Sequence, residues 1–167
     1  EMKFGALFPD ASAALADLEC MTLSADSRAV TPDTVFVAVP GVKADGRHYI
    51  ADAVGRGCRM IVAQGPRPAD LPQAVAYHGV ADARLALAQA AARLFPQAPA
   101  HVVAVTGTSG KSSVAEFVRQ IFDALGYQAA SLGTLGITRQ GKTDYGQLTT
   151  PDPVRLHQTL ATLAQDG

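Results

Sequence analysis

The sequence predicts an α/β protein in two units, residues 1–98 and 99–167, the second opening a domain with a parallel sheet. Three observations predict it. Short apolar runs rich in β-branched residues, bounded by Gly and Pro, alternate with stretches of helical periodicity, the pattern of strand–helix units. Pro96-Gln97-Ala98-Pro99 interrupts that alternation, because proline cannot continue a helix. Beyond it, a polar glycine-containing turn joins an apolar run to a long amphipathic stretch.

In the first unit, Val35-Phe36-Val37-Ala38-Val39 lies between Pro32-Asp33 and Pro40-Gly41 and reads as a buried strand. Residues 49–57 read as a helix with Ile50, Ala53 and Val54 on one face and glycines at its end. Met60-Ile61-Val62-Ala63, closed by Gly65-Pro66, is a second strand, and Ala74-Val75-Ala76-Tyr77 a third. Residues 81–95 are rich in Ala and Leu, with Leu85, Ala88, Ala92 and Phe95 at helical spacing. Asp82 stands near the start, where a carboxylate suits the unpaired amides and the helix dipole.

The second unit opens with His101-Val102-Val103-Ala104-Val105, a predicted strand, and a helix is expected over 111–125. Val114, Phe117, Val118, Ile121, Phe122 and Leu125 form one apolar stripe on that helix, with Gly126 placed to cap it. A strand near 129–132 and a loop-rich stretch follow. Residues 153–164 close the chain as a helix with Val154, Leu156, Leu160 and Leu163 apolar. Only 67 residues follow residue 100, short for a doubly wound domain, so the second unit is expected to be truncated.

Composition narrows the function. Fourteen Lys and Arg against 15 Asp and Glu leave a formal charge of −1, without the basic excess of a nucleic-acid binder. No apolar run reaches the roughly 18 residues of a membrane span, and no signal peptide is visible, so the expectation is cytoplasmic. Cys20 and Cys58 are too few for a disulfide framework, and no Cys/His cluster has zinc spacing. His48, His78, His101 and His157 lack a telling partner and are read as non-catalytic. No pattern encodes an oligomer, and a monomer is expected.

Thr106-Gly107-Thr108-Ser109-Gly110-Lys111-Ser112-Ser113 sits between the predicted strand and helix, the context in which such a run binds phosphate. Gly107 and Gly110 let the backbone turn so that successive N–H groups face phosphate oxygens, and the helix start adds unpaired amides. Lys111 supplies a mobile cation for the β- and γ-phosphates, and the Ser112 hydroxyl can ligate Mg²⁺. The general pattern places Gly six residues before the lysine, where this chain has Val105. The motif therefore has the T-G-T-x-G-K-[ST] form. ATP and Mg²⁺ are the expected cofactors.

The same loop resembles that of the Mur ligases, which join amino acids to the peptidoglycan precursor. Asp26-Ser27-Arg28, Val35-Phe36-Val37-Ala38-Val39-Pro40-Gly41 and Ala44-Asp45-Gly46-Arg47-His48-Tyr49-Ile50 resemble, in that order, the family's UDP-binding N-terminal domain. Gly133-Thr134 and Leu148-Thr149-Thr150-Pro151-Asp152 are similar to the members that add the third residue of the peptide. The resemblance implies a UDP-sugar-binding domain over 1–98 and the first part of an ATP-binding domain over 99–167. It implies ATP-dependent addition of an amino acid, such as meso-diaminopimelate, to UDP-N-acetylmuramoyl-L-Ala-D-Glu through an acyl phosphate.

By family position, Lys111 is catalytic, and residues 107–113 (Gly107, Thr108, Ser109, Gly110, Lys111, Ser112, Ser113) bind ATP. Ser112 contacts the metal; Ser27 meets the uridine end of the substrate, and Thr149 and Thr150 hold the substrate near the γ-phosphate. Some of these have structural readings as well. Ser27 suits a turn, and Thr149-Thr150-Pro151-Asp152 suits a helix entry, with Asp152 as cap and Pro153 at the first helical position. Lys43 reads as a solvated loop lysine. The family's carbamylated lysine, its metal-holding Glu and its acceptor-recognition motif have no counterpart here, so the chain by itself is expected to have no ligase turnover. The alternatives are the ligase of the next step, which adds a dipeptide, a nucleotide-binding module without chemistry, and a simple phosphotransferase that leaves the N-terminal motifs unexplained.

Overall fold

The computed structural model describes residues 2–41, 45–133, 136–144 and 152–166. The chain separates into two compact units, Glu1–Pro96 and Gln97–Gly167.

The first unit begins with β1 (Met2–Lys3), α1 (Phe4–Leu7), α2 (Ala13–Ala16) and β2 (Glu19–Cys20), the two short strands pairing antiparallel. Then come β3 (Thr22–Ser24), β4 (Thr34–Ala38), α3 (Ile50–Gly55), β5 (Met60–Gln64), β6 (Ala76–Val80) and α4 (Ala83–Leu94). β3 to β6 form a parallel four-stranded sheet in sequence order. Every residue of β4 is buried, which explains its unbroken apolar run: a parallel strand covered on both faces has no polar side to show. Phe36, Ala38, Ile61 and Ala63 share one core cluster with Ile50, Ala53, Leu71 and Val75. α4 packs on β3, β4 and β5.

Two expectations shift. α4 buries Ala83, Leu87, Ala90 and Ala91, whereas Leu85 is 54 % exposed. The expected stripe was therefore the wrong face. In a helix this rich in alanine both faces carry similar apolarity, and the sheet selects the one whose small side chains permit close approach. The third strand starts at Ala76, because Val75 N–H is turned back onto the Pro72 carbonyl (3.0 Å) before Ala76 joins the ladder.

The second unit contains α5 (Lys111–Ala124), β7 (Ala130–Gly133), β8 (Gly136–Arg139), β9 (Lys142–Asp144) and α6 (Pro153–Gln165). β7, β8 and β9 pair antiparallel, where the sequence suggested a strand and a loop-rich stretch. The predicted strand over 101–105 is not formed, and Val102 and Val103 are exposed. A parallel strand takes its hydrogen bonds from neighbours, and the described strands of this unit pair only with one another. The stripe on α5 is likewise uncovered: Val114, Phe117, Ile121 and Leu125 are exposed, while Arg119 is buried. α6 keeps its expected entry, the Asp152 carboxylate accepting from Val154 N–H with Pro153 in the first turn.

Candidate functional site

The phosphate-loop residues meet at the start of α5. Gly110 is its N-cap and adopts φ +75°, a left-handed conformation that glycine reaches without steric cost. No side chain caps this end. Val114 N–H makes the first helical bond, to the Gly110 carbonyl at 3.0 Å. The amides of Gly110, Lys111, Ser112 and Ser113 therefore have no acceptor within the helix. All of residues 106–113 are exposed. The Lys111 ammonium donates to the Gly107 carbonyl, which folds the cation back over the loop. A left-handed glycine, open amides and an adjacent cation make a cradle for an oxyanion. The structure thus brings Gly107, Thr108, Ser109, Gly110, Lys111, Ser112 and Ser113 into one turn. The Ser112 hydroxyl is accessible there.

Among the described residues no group of three His, Cys, Asp or Glu could hold a metal ion. A Mg²⁺ ion bound by one protein hydroxyl takes its other ligands from phosphates and water, which suits this loop. Behind the loop, α5 turns a charged face to β7. Arg119 binds the carboxylates of Glu116 and Asp123, and Ser131 of β7 donates to Glu116 at 3.1 Å. The Arg119 guanidinium, hydrogen-bonded to Glu116, holds that carboxyl at about 2.

A second cluster lies in the first unit, where the strands of the parallel sheet end. Ligands of α/β sheets gather at these carboxyl ends. Ser27 is buried at the start of a 3₁₀ turn, Ser27–Ala29, entered from β3. Asp26, not Ser27, caps that turn, accepting from Arg28 N–H at 2.9 Å. Asp52 on α3 is held below its ordinary carboxyl value, first by the neighbouring Ser27 hydroxyl and then by Arg56, whose Nε donates to it at 3.1 Å. After β4 the chain turns sharply. Pro40 and Asp45 pair as an isolated antiparallel bridge, and Gly46 N–H reaches the Val39 carbonyl at 3.1 Å. A Cβ on Gly46 would stand 2.6 Å from that carbonyl oxygen, so only glycine fits.

Sequence reasoning missed a repeated device at this edge. Asp26-Ser27-Arg28, Asp45-Gly46-Arg47 and Asp82-Ala83-Arg84 each place a carboxylate two residues before an arginine. In each, the carboxylate accepts from the arginine's backbone N–H at 2.9 Å. In the first two the guanidinium also folds back onto its own aspartate, at 2.7 and 2.6 Å. Hydrogen bonds from Arg28 and Arg47 hold Asp26 and Asp45 at about 2. Arg84 differs: its Nη2 donates to the Pro40 carbonyl at 2.8 Å. The recurring Asp-x-Arg spacing was the available signal.

Ser27 belongs to the first unit and the phosphate loop to the second. Thr149, Thr150, Thr134 and Lys43 lie outside the described residues. Cys20 and Cys58 are buried free thiols. Among the described residues no helix is long and apolar enough to cross a membrane.

Comparison with known proteins gives a consistent result. The Mur ligase family, catalytic domain, matches residues 21–120, and the Mur ligase middle domain matches 105–167. A UDP-N-acetylmuramoyl-L-alanyl-D-glutamate–2,6-diaminopimelate ligase of Mesorhizobium japonicum is 52 % identical over 162 residues, 96 % of this chain and 33 % of that protein. The enzyme of the same name from Rhizobium meliloti is 48 % identical, over 98 % of this chain and 34 % of its own length. The chain thus spans about a third of the length of these relatives. A solved structure of a UDP-N-acetylmuramoyl-L-alanyl-D-glutamate–2,6-diaminopimelate ligase superposes with TM-score 0.81 at 20 % identity, over 99 % of this chain and 34 % of that one, a likeness of fold.

Proposed function

The chain belongs to the Mur ligase family, and we propose that it is the nucleotide-sugar-binding unit and the opening of the ATP-binding unit of a ligase. That ligase adds 2,6-diaminopimelate to UDP-N-acetylmuramoyl-L-Ala-D-Glu in the cytoplasm. The diaminopimelate assignment rests on the names of relatives at 52 % and 48 % identity. The observation that carries the ATP-binding part is the uncapped start of α5, with Gly110 left-handed and the Lys111 ammonium laid over the loop.

A carboxylate is a poor acylating agent. Bound ATP supplies a γ-phosphoryl group that turns the terminal D-Glu carboxylate into one the diamino acid's amine can attack, with ADP and phosphate released. The chain's own residues do the holding. The amides from Gly110 to Ser113 would bind phosphate oxygens, and Lys111 would neutralise charge on the transferring group. Ser112 would give the single protein oxygen to Mg²⁺. At the carboxyl ends of β3 and β4, Ser27 and the segment Asp45-Gly46-Arg47 would receive the UDP-sugar. Thr149 and Thr150 would hold the substrate beside the γ-phosphate.

Lys111→Ala in the full-length parent tests the reading. ATP-dependent product formation is expected to fall about 10²–10³-fold, as when one charge-stabilising donor is removed, with UDP-sugar binding kept. Unchanged ATP affinity in that variant overturns it. The 167-residue chain alone is expected to form no product from ATP, UDP-sugar dipeptide and diamino acid.

A further inference from the structure

The inward face of α5 is built around a buried charge. Ala115, Glu116, Val118, Arg119, Phe122 and Asp123 are the residues of this helix that the rest of the unit covers, wholly or in part. Arg119 is the most deeply buried of them, its side chain 6 % exposed. Its Nε and Nη2 donate to the two oxygens of Glu116, at 2.9 and 2.5 Å, and its Nη1 donates to Asp123. Gln120 Nε2 adds a bond to Glu116 at 3.0 Å. Each carboxylate also accepts from the chain of β7. Ser131 Oγ donates to Glu116 Oε2 at 3.1 Å, and the N–H of Ala129, just before the strand, donates to Asp123 Oδ1 at 3.3 Å. One guanidinium thus aligns two carboxylates of the helix, and these grip the strand at two separate points.

The order of the two grips sets a direction. Along β7 the chain meets Asp123 first and Glu116 second, so the strand runs back toward the start of α5. From Ser131 to Gly133 a strand advances about 6.6 Å, and from Glu116 back to Ser112 a helix covers about 6 Å. The carboxyl end of β7 is thereby brought to the level of the phosphate loop. Gly133 is exposed there, and a Cβ on it would meet nothing among the described residues within 4 Å. Stability alone does not account for the arrangement. A buried ionic cluster is often no more stable than apolar side chains of similar volume, and its best-attested use is to fix register. Apolar contact leaves a strand free to slide along a helix; charged bonds at two points do not.

We propose that Arg119 is a positioning residue for phosphoryl transfer: through Glu116 and Asp123 it fixes the register of β7 on α5 and so holds the Gly133 end of the strand beside the phosphate loop. The proposal rests on the ATP-binding reading given above. Arg119 stands about 12 Å along the helix from Lys111, so it acts through the strand and not on the nucleotide.

The test is steady-state ADP release by the full-length parent with ATP, the UDP-sugar dipeptide and diaminopimelate. Lys111→Ala serves as the control for the loop, and a urea unfolding curve accompanies each variant. Arg119→Met removes the guanidinium. Its kcat is expected to fall about tenfold while KM for ATP stays within about twofold, because the loop amides are intact and only the alignment is lost. Arg119→Lys keeps the charge but cannot serve both carboxylates, and is expected to recover part of the loss. Ser131→Ala leaves the ionic cluster whole and removes one grip, so it decides the matter even where Arg119→Met fails to fold. It is expected to lower kcat about threefold with the unfolding midpoint little moved. Unchanged kcat in Ser131→Ala overturns the proposal while the ATP-binding reading stands. A raised KM for ATP with kcat kept overturns it too, as does a kcat that falls only in step with the folded fraction. If Lys111→Ala leaves ATP affinity unchanged, the ATP-binding reading fails, and this proposal with it.

Discussion

The two units of this chain treat their apolar residues in opposite ways. In the first, the apolar runs are consumed: β4 is buried along its whole length, and α3 and α4 pack their apolar residues on the sheet. In the second, the strongest amphipathic pattern in the sequence is turned outward. Phe117, Ile121 and Leu125 of α5 are exposed, and the same helix buries Arg119 with two carboxylates against β7. A hydrophobic stripe records the surface that selection expected to be covered, whether or not the cover is present in the same stretch of chain. The chain spans about a third of the length of its relatives, and within it the first unit covers its apolar residues while the α5 stripe stays exposed.

Truncation of a large apolar side chain sharpens this contrast most. Phe36 of β4 is fully buried, and Phe36→Ala is expected to cost about 3–5 kcal/mol of the first unit's stability in urea unfolding. Phe117→Ala in the same chain is expected to change stability by less than about 0.5 kcal/mol, because the ring is already 61 % exposed. In the full-length parent the Phe117→Ala penalty is expected to rise to several kcal/mol as the stripe becomes core. An equally small effect in the parent would mean the stripe stays bare there, and the contrast would lose its explanation.

The legibility of the sequence follows the same division. β4, β5 and α4 could be read from apolar runs and Gly/Pro boundaries because their partners lie within the same 96-residue unit. The cap at Asp82 and the Asp152-Pro153 helix entry were readable because capping is decided by a few adjacent residues. The strand over 101–105 was equally clear as a pattern and does not form, since a strand is defined by neighbours that a local pattern does not contain. The β8–β9 hairpin escaped notice because short strands with Thr, Arg and Lys lack an apolar alternation. At the candidate site, the glycine–lysine loop announced itself by spacing. The tie from Arg84 to Pro40 could not, because it joins residues far apart in the chain through a bond fixed only by the sheet.

Helix starts give the next contrast, smaller in size. α4 is closed by Asp82, whose carboxylate accepts from Arg84 and Leu85 N–H at 2.9 and 3.0 Å. α5 starts at a left-handed glycine with no side-chain cap. Asp82→Ala is expected to cost about 1 kcal/mol, measured by urea unfolding of the first unit. Gly110→Ala puts a Cβ into a left-handed conformation and is expected to cost about 1–2 kcal/mol locally, read as faster amide exchange in α5. The two starts are then expected to part in function: Gly110→Ala should weaken ATP binding in the parent and Asp82→Ala should not. Equal effects on ATP binding would erase the distinction between a closed and an open helix end.

The smallest expected effect concerns charge, and it asks whether the inward face of α5 is held by its ions. Glu116 has a folded value of about 2 because Arg119, then Gln120, hydrogen-bond its carboxylate form, with a further bond from Ser131. A carboxyl whose folded value lies below its unfolded one stabilises the fold fully above the unfolded value and loses that contribution as pH falls through the folded one. The Glu116 contribution is therefore complete above about 4.5 and disappears toward about 2. The carboxyl carbon resonance of Glu116 should titrate with a midpoint near 2 in the wild-type chain and return to the ordinary range in Arg119→Met. In that variant the exchange of β7 amides should quicken already at neutral pH, because the helix has lost the guanidinium that holds Glu116 toward Ser131. Asp26 and Asp45 in the first unit also sit at about 2, but each is held by an arginine two residues along its own turn. Acidification there should loosen single turns and leave the sheet intact. If β7 exchange is indifferent to Arg119→Met, the buried arginine is only tolerated and the two units hold their sheets by the same apolar means.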